Sequence, residues 1–532
     1  MAERRLKFWG WGYEDQGPNP EQQQRLAQRM AKRFGVAEVK IAPPPTLDEL
    51  DLRAPRLSPP SALAAICSAD RYDRAAHTYG RSYSDGVRMF RRDFRNPPDV
   101  VAFPRSEQDI VRLLEWCDGA NAAVIPFGGG SSVVSGVGPI DDDSYRGVVS
   151  IDLRHLDKVL EIDRTSRAAR IQAGALGPAL ERQLGAHGLT LRHYPQSFEH
   201  STLGGWIATR AGGHFATLYT HIDDLVESVR MVTPRGTFET RRLPASGAGP
   251  APDRLVLGSE GTLGVVVEAW MRVRPRPRYR ASASVRFADF AAGARAARAV
   301  AQSGLHPSNC RLLDPREAML NGVPADGGAV LLLGFESAEH AMRPWIERAV
   351  TLAEAAGGAC AGIKERVDER GADASAEAWR QAFVDAPYLQ SALVSLGVIA
   401  DTFETACTWD RFDALHAEVR AAVEGAMREH CGGGLLTCRF THVYPDGPAP
   451  YFTFVAPGRA GAQLEQWEAI KRAASDALAT RGATITHHHA VGRTHRPWYE
   501  REVPSLFLES LRAAKRTMDP AGILNPGVIL DP

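Results

Sequence analysis

The most unusual chemistry in this chain of 532 residues lies near its end, where Thr486–Gly492 reads THHHAVG. Imidazole is the side chain whose ordinary pKa lies nearest neutrality, so consecutive histidines are candidates to give and take protons. If Ala483–His489 is a strand, side chains alternate between faces: His487 and His489 share one side, His488 takes the other, and one metal ion is not easily reached by all three. A polar strand end or a metal patch are the competing readings. Tyr451 stands in YFTF, where alternation buries Phe452 and Phe454 and turns Tyr451 and Thr453 the other way. A phenol on a ligand face can donate a proton to a leaving group; otherwise it is ordinary aromatic packing. Arg439 in TCRFTHVY and Arg311 in CRLLDP lie in strand-like apolar text, where a guanidinium needs a buried carboxylate or a bound phosphate.

A second group of residues has the chemistry of a phosphate cradle. Ala122–Val137, AAVIPFGGGSSVVSGV, is an apolar strand running into Gly128, Gly129 and Gly130. Glycines after a buried strand leave backbone N–H groups pointing outward with no Cβ to keep a ligand away, although such a turn can also merely join strands. Tyr194–Gly213 (YPQSFEHSTLGGWIATRAGG) and Val256–Val267 (VLGSEGTLGVVV) repeat the mixture of glycine, small hydroxyl and aliphatic residues. Three such segments within about 140 residues point to one extended nucleotide cofactor touched by several loops. No G-x-G-x-x-G fingerprint surrounds Gly128 and no G-x-x-x-x-G-K-[ST] occurs, so the cradle is unlike a Rossmann or P-loop site.

Positioning these groups requires alternating strands and helices. From Asn96 the text reads strand, helix, strand: Ser106 is a cap with Asp109 three residues on, and Ile110, Leu113, Leu114 and Cys117 keep the helical period into the cradle. Val148–Leu153, Arg170–Ala173, Leu225–Val232 and Leu255–Val273 read as further strands, with a helix over Leu176–Gly188. After RPRPRY, strands at Ala281–Phe287, Val330–Glu336, Gly434–Val443 and Tyr451–Val455 alternate with helices at Phe290–Gly304, Ala338–Gly357 and Leu464–Arg481, as in an α+β domain with helices on one side of an antiparallel sheet. Ala376–Ala400 is the most apolar extended stretch; Pro387 is expected to break it into two helices, forming either a core pair or a grip on an apolar ligand. The expected division is a helical region over 1–95, a nucleotide-binding domain over 96–278, a substrate domain over 279–482, and a segment over 483–532 that returns to the nucleotide domain.

Composition narrows the class. Lys+Arg and Asp+Glu balance at 63 each, so no global field favours nucleic acid, and 44% hydrophobic with 24% charged residues is ordinary for a globular chain. Seven scattered cysteines without a C-x-x-C pair argue for a reducing compartment and read as small buried hydrophobes. The stretch MAERRLKFWG lacks the apolar core of a signal peptide, and no apolar run reaches bilayer length, so a cytoplasmic protein is expected, with peripheral lipid contact left open. Trp9 and Trp11 are expected to pack on a neighbouring domain rather than anchor at a membrane.

PFGGGSS, SFEHSTLGGWIATRAGG and GSEGTLG, in this order and spacing, resemble the flavin-binding half of the vanillyl-alcohol oxidase/p-cresol methylhydroxylase family. The resemblance implies an α+β fold: a two-part FAD-binding domain of that type with an α+β substrate (cap) domain. It places FAD against Pro126, Phe127, Gly128, Gly129, Gly130, Ser131 and Ser132, then Gln196, Ser197, Glu199, Ser201, Thr202 and Gly205, then Thr209, Arg210, Ala211 and Gly212, and finally Glu260, Gly261, Thr262, Leu263, Gly264, Val265 and Val266. Relatives with covalent flavin commonly carry His where this chain has Gly130, so non-covalent FAD is implied. WGWGYED, CRLLDP, DTFETACTWDRF, TCRFTHVY, YFTF and THHHAVG resemble, more narrowly, the alkyldihydroxyacetonephosphate synthases, over nearly the whole chain. These exchange the acyl chain of acyl-dihydroxyacetonephosphate for a long-chain fatty alcohol without net redox change, giving an ether lipid precursor. The resemblance implies Tyr451 as proton donor, His487, His488 and His489 as acid–base groups, Arg439 on the substrate phosphate, Arg311 as needed for activity, no metal, and a homodimer. HHHAVG replaces the family's HHHGVG, and no counterpart of the eukaryotic peroxisomal presequence precedes Trp9, which implies a bacterial-type form. The alternatives are an FAD-dependent 2-hydroxy-acid dehydrogenase or oxidase of the D-lactate or glycolate type, a flavin-loaded scaffold, and a His-cluster metal protein.

Overall fold

The computed structural model describes residues 5–140, 143–215, 221–368 and 374–531, the side chains of 374–384 excepted. The cradle grows from a four-stranded sheet. Val100–Ala102 and Ala122–Phe127 flank Gly147–Asp152 in parallel, and Cys67–Ser68 adds an antiparallel edge. Continuous apolar text suits strands covered on both faces, and Val100, Val101, Val124, Ile125, Val149 and Ile151 are all fully buried. The helix Glu107–Ala120 joins two of these strands and starts where expected, with the Ser106 hydroxyl accepting the Asp109 N–H at 3.2 Å. A five-stranded antiparallel sheet in the order Val159–Asp163, Ala168–Gln172, Val265–Arg272, Val226–Thr233, Gly236–Glu239 shares its hydrophobic core with the first.

The region beyond is built on seven antiparallel strands in the order Ala359–Val367, Tyr279–Phe287, Ala329–Ser337, Asn309–Leu313, Leu435–Val443, Pro448–Pro457, Val398–Glu404. One face buries Cys310, Leu312, Phe440, Phe452 and Phe454 in the cores shared with the helices Phe290–Ala301, Arg343–Ala355, Trp409–Cys431 and Gln463–Thr480. Alternation then turns Arg311, Arg439, Thr441, Tyr451 and Thr453 to the opposite face, which faces a cavity. The chain end folds back onto the first sheet: Leu524 bridges Val124 in parallel, and the Asn525 side chain donates to the carbonyls of Gly136 and Glu260.

Four local expectations need correction. Leu255 falls in a helical turn, Asp253–Val256, and the strand starts only at Val265. Pro387 sits inside one helix, Ala374–Ser395, rather than dividing it. A proline removes one N–H and crowds one carbonyl, which a helix packed along a wall can absorb. Of the cysteines, Cys117, Cys310 and Cys438 are buried, while Cys67, Cys360, Cys407 and Cys431 are only half-buried; all are free thiols. Finally, no strand forms over Ala483–His489. A strand sends successive N–H groups to opposite sides, whereas the N–H groups of His487, His488 and His489 all donate to the single carboxylate of Glu404. Trp11 is buried, its indole N–H donating to Gln390 at 2.7 Å, and Trp9 stands edge-on to Phe90, so both pack as expected.

Candidate active site

A cavity of about 430 Å³ lies between the Gly-rich loops and the cap sheet. Gly128–Ser132 form part of its wall, and the N–H groups of Gly128, Gly129, Gly130 and Ser131 have no hydrogen-bond acceptor among the described residues. Glycine is required here by contact: a Cβ on Gly129 would come within 1.7 Å of the His200 carbonyl oxygen, and one on Gly128 within 2.3 Å of Thr202 Oγ1. The loop therefore lies tight against His200–Thr202, and its free donors belong to residues that line the cavity. That arrangement fits a diphosphate. Gln196, Ser197, Ser201, Thr202, Gly205, Thr209, Ala211 and Gly212 extend the same wall.

The cap side of the cavity carries the charged and titratable groups. Arg439 Nη1 donates to Glu317 Oε1 at 2.5 Å, both residues buried, and its guanidinium lies 3.8 Å from the centre of the Tyr451 ring. Arg311 is 1% exposed, and burial together with the neighbouring Arg439 charge holds its pKa down to about 9. The Tyr451 hydroxyl donates to Thr402 Oγ1 at 2.9 Å; burial pushes this phenol up, with Arg439 opposing, so it stands protonated at neutral pH. Alternation sets this geometry, since Arg439 and Tyr451 are register partners on adjacent strands and Glu404 pairs with Tyr451 on the other side.

His488 and His489 line the cavity, and the Tyr451 ring lies 5.9 Å from the first and 5.3 Å from the second. His487 stands behind them: its Nδ1 is 2.9 Å from His488 Nδ1, and its Nε2 is 2.6 Å from the Tyr444 hydroxyl. The expected pairing of His487 with His489 is thus replaced by contact between neighbours in sequence, because the backbone coils around Glu404 instead of extending. The ring nitrogens of His442, His487 and His488 come within 4.8 Å of one another. His442 Nε2–H donates to the Gly213 carbonyl at 2.9 Å, leaving Nδ1 buried without a hydrogen-bond partner among the described residues. Burial lowers the pKa of all four imidazoles, so they are neutral bases at pH 7.

Several expected cofactor residues lie off the cavity wall. Pro126 and Phe127 belong to the strand beneath the loop, Glu199 accepts the Tyr388 hydroxyl at 2.8 Å, and Arg210 pairs with Asp223 at 2.8 Å. Glu260 accepts the N–H groups of Val491 and Gly492, and Gly261, Thr262, Leu263, Gly264, Val265 and Val266 are buried behind it. This block holds the chain in place just after the histidines. The sequence assigned no role to Glu317, His442 or Glu404; each is a polar residue in otherwise apolar or motif-bearing text, the signal that marked Arg311 and Arg439 before the resemblance gave them roles.

Comparison with known proteins agrees with this architecture. The FAD binding domain family matches residues 98–241, and the family of FAD linked oxidases, C-terminal domain, matches residues 276–529. An alkyldihydroxyacetonephosphate synthase of Dictyostelium discoideum is 32% identical over 479 residues, 86% of this chain and 77% of the relative. One from Trypanosoma brucei brucei is 30% identical over 533 residues, 93% of this chain and 85% of its own length. The chain belongs to the alkyldihydroxyacetonephosphate synthase family. A solved structure of such a synthase superposes with a TM-score of 0.81 at 26% identity, covering 98% of both chains. Substrate-bound p-cresol methylhydroxylase shares the fold, with a TM-score of 0.68 at 14% identity over 88% of this chain and 95% of that one. FAD is therefore the cofactor of this synthase-family chain, and the donor-lined loop at Gly128–Ser131 suits its diphosphate.

Proposed function

We propose that this chain is an FAD-dependent alkylglycerone-phosphate synthase. It exchanges the carboxylate on C1 of acyl-dihydroxyacetonephosphate for the alkoxide of a long-chain alcohol. The C1–O bond to the fatty acid breaks, a C1–O bond to the alcohol forms, and the alcohol's proton balances the departing carboxylate, so nothing is oxidised. When bound, FAD supplies the ring at which C1 is activated for this exchange. The supporting observation is one cavity whose lining includes the Gly128–Ser131 loop, Arg311 and Arg439, and the apolar residues Leu320, Pro387, Leu389 and Leu393.

Each part of that lining suits one part of the substrate. Two guanidiniums side by side in a desolvated wall favour a phosphate dianion, which relieves their mutual repulsion. The neutral imidazoles of His488 and His489 are bases able to take a C1 proton, and His487 carries the relay on from His488 to Tyr444. The protonated Tyr451 phenol can donate to the departing carboxylate. The apolar lining at Leu320, Pro387, Leu389 and Leu393 accepts the alkyl chain, whose transfer from water is favourable by about 0.8 kcal/mol per CH₂. Among the described residues no helix is long and apolar enough to cross a membrane. Our reading adds peripheral contact with lipid, a homodimer and a cytoplasmic location. The test is incubation of the FAD-loaded protein with acyl-dihydroxyacetonephosphate and hexadecanol, with product read by mass. Absence of alkyl-dihydroxyacetonephosphate, combined with flavin bleaching by D-lactate or glycolate, would replace the synthase by a hydroxy-acid dehydrogenase.

A further inference from the structure

Glu404 is 3% exposed at the end of the strand Val398–Glu404, paired in register with Tyr451 on the neighbouring strand. Its Oε1 accepts the Thr486 hydroxyl at 2.6 Å and the N–H groups of His488 at 3.1 Å and His489 at 2.9 Å, while Oε2 accepts the His487 N–H at 2.5 Å. Three successive amides aimed at one carboxylate form a concave backbone nest, a conformation an extended strand does not provide. The same carboxylate lies 3.5 Å from His488 Nδ1 and 3.7 Å from His489 Nδ1. An anion wrapped by the backbone of a motif fixes where the motif's side chains point. We propose that Glu404 is the positioning residue of the histidine run: it coils Thr486–His489 around itself, so that adjacent imidazoles converge on the cavity, and it supplies the negative charge against which they work.

The inference rests on the synthase reading for its kinetic consequence and on geometry for its structural one. Groups facing the rings are His221, His442 and Tyr444 around His487, His221, His442, Arg439 and Tyr451 around His488, and Lys471, Asp401, Arg439, Tyr451 and His495 around His489. Glu404 opposes burial by favouring protonation of His487 and His489. Removing its charge therefore lowers the pKa of these imidazoles, and their basic forms persist to lower pH.

The test is Glu404→Gln in the FAD-loaded full chain, with Thr486→Val as a companion that removes one donor and keeps the charge. Glu404→Gln is expected to retain FAD and its spectrum, to keep the KM for acyl-dihydroxyacetonephosphate because Arg311 and Arg439 are untouched, and to lose at least about tenfold in kcat, short of the roughly 10²–10⁴-fold of a lost acid–base group. The acid limb of its pH–rate profile should move to lower pH, and the ring ¹⁵N resonances of the histidines should shift without substrate. Thr486→Val should lose less and keep the wild-type pH profile. Wild-type kcat and profile in Glu404→Gln, loss of FAD, or a fall in kcat with profile and ring resonances unmoved would each overturn the assignment. If the wild type forms no ether, the synthase reading fails, and the resonances alone judge Glu404: unshifted rings overturn it.

Discussion

Replacing Arg439 by leucine removes two things at once, and their magnitudes separate them. Glu317 is 1% exposed and would keep the Thr437 hydroxyl but lose the guanidinium at 2.5 Å. A buried ion pair broken on one side costs about 3–5 kcal/mol, because the survivor's charge is left uncompensated. Stability alone could thus explain an inactive Arg439→Leu protein. Adding Glu317→Gln removes the stranded charge, and the double variant should regain most of the lost stability in urea unfolding. Its turnover should stay low, since a charge-assisted contact to phosphate is worth roughly 1.5–3 kcal/mol, about 10- to 150-fold in kcat/KM. The assay pairs unfolding midpoints with steady-state kinetics on acyl-dihydroxyacetonephosphate, FAD occupancy checked by absorbance. A double variant that recovers turnover together with stability would refute phosphate binding and leave Arg439 a partner of Glu317 only.

Other consequences can be measured directly. Acid precipitation should release all FAD to the supernatant, because Gly130 offers no side chain for attachment; flavin that stays with the protein on a denaturing gel would contradict this. Burial pushes the Glu260 carboxyl from its ordinary value of 4.5 up to about 7 despite its backbone donors. Its folded pKa is raised, so its contribution to stability is full below about pH 4.5 and lost as pH rises through about 7, at most about 3 kcal/mol. Glu260→Gln should lack that loss, and unfolding midpoints at pH 5 and pH 8 that fall equally in both proteins would dismiss it. Leu389, 42% exposed and part of the cavity lining, offers a mild perturbation: Leu389→Glu should reduce turnover with hexadecanol more than with a short alcohol, and an unchanged chain-length preference would take this residue out of the lipid route. The nitrogens of His442, His487 and His488 are also spaced for a metal, yet EDTA should leave ether synthesis intact; loss restored by zinc would require a metal in the reaction.

Where periodicity and turn chemistry are local, the sequence by itself determined the outcome. The Ser106 cap, the apolar strand into Gly128–Gly130, and the alternation that buries Phe452 and Phe454 while exposing Tyr451 and Thr453 to the cavity are all consequences of neighbours within a few residues. The THHHAVG run was visible, but its shape was not. Alternation assumes a ladder partner for every N–H, and the partner that decided the matter, Glu404, lies 83 residues before His487. For the same reason the pairing of Arg439 with Glu317, 122 residues apart, and the meeting of His442 with His487 and His488 were not legible. A desolvated charge takes whichever partner the fold brings within reach, and that distance is set by strand order, which only the tertiary structure decides.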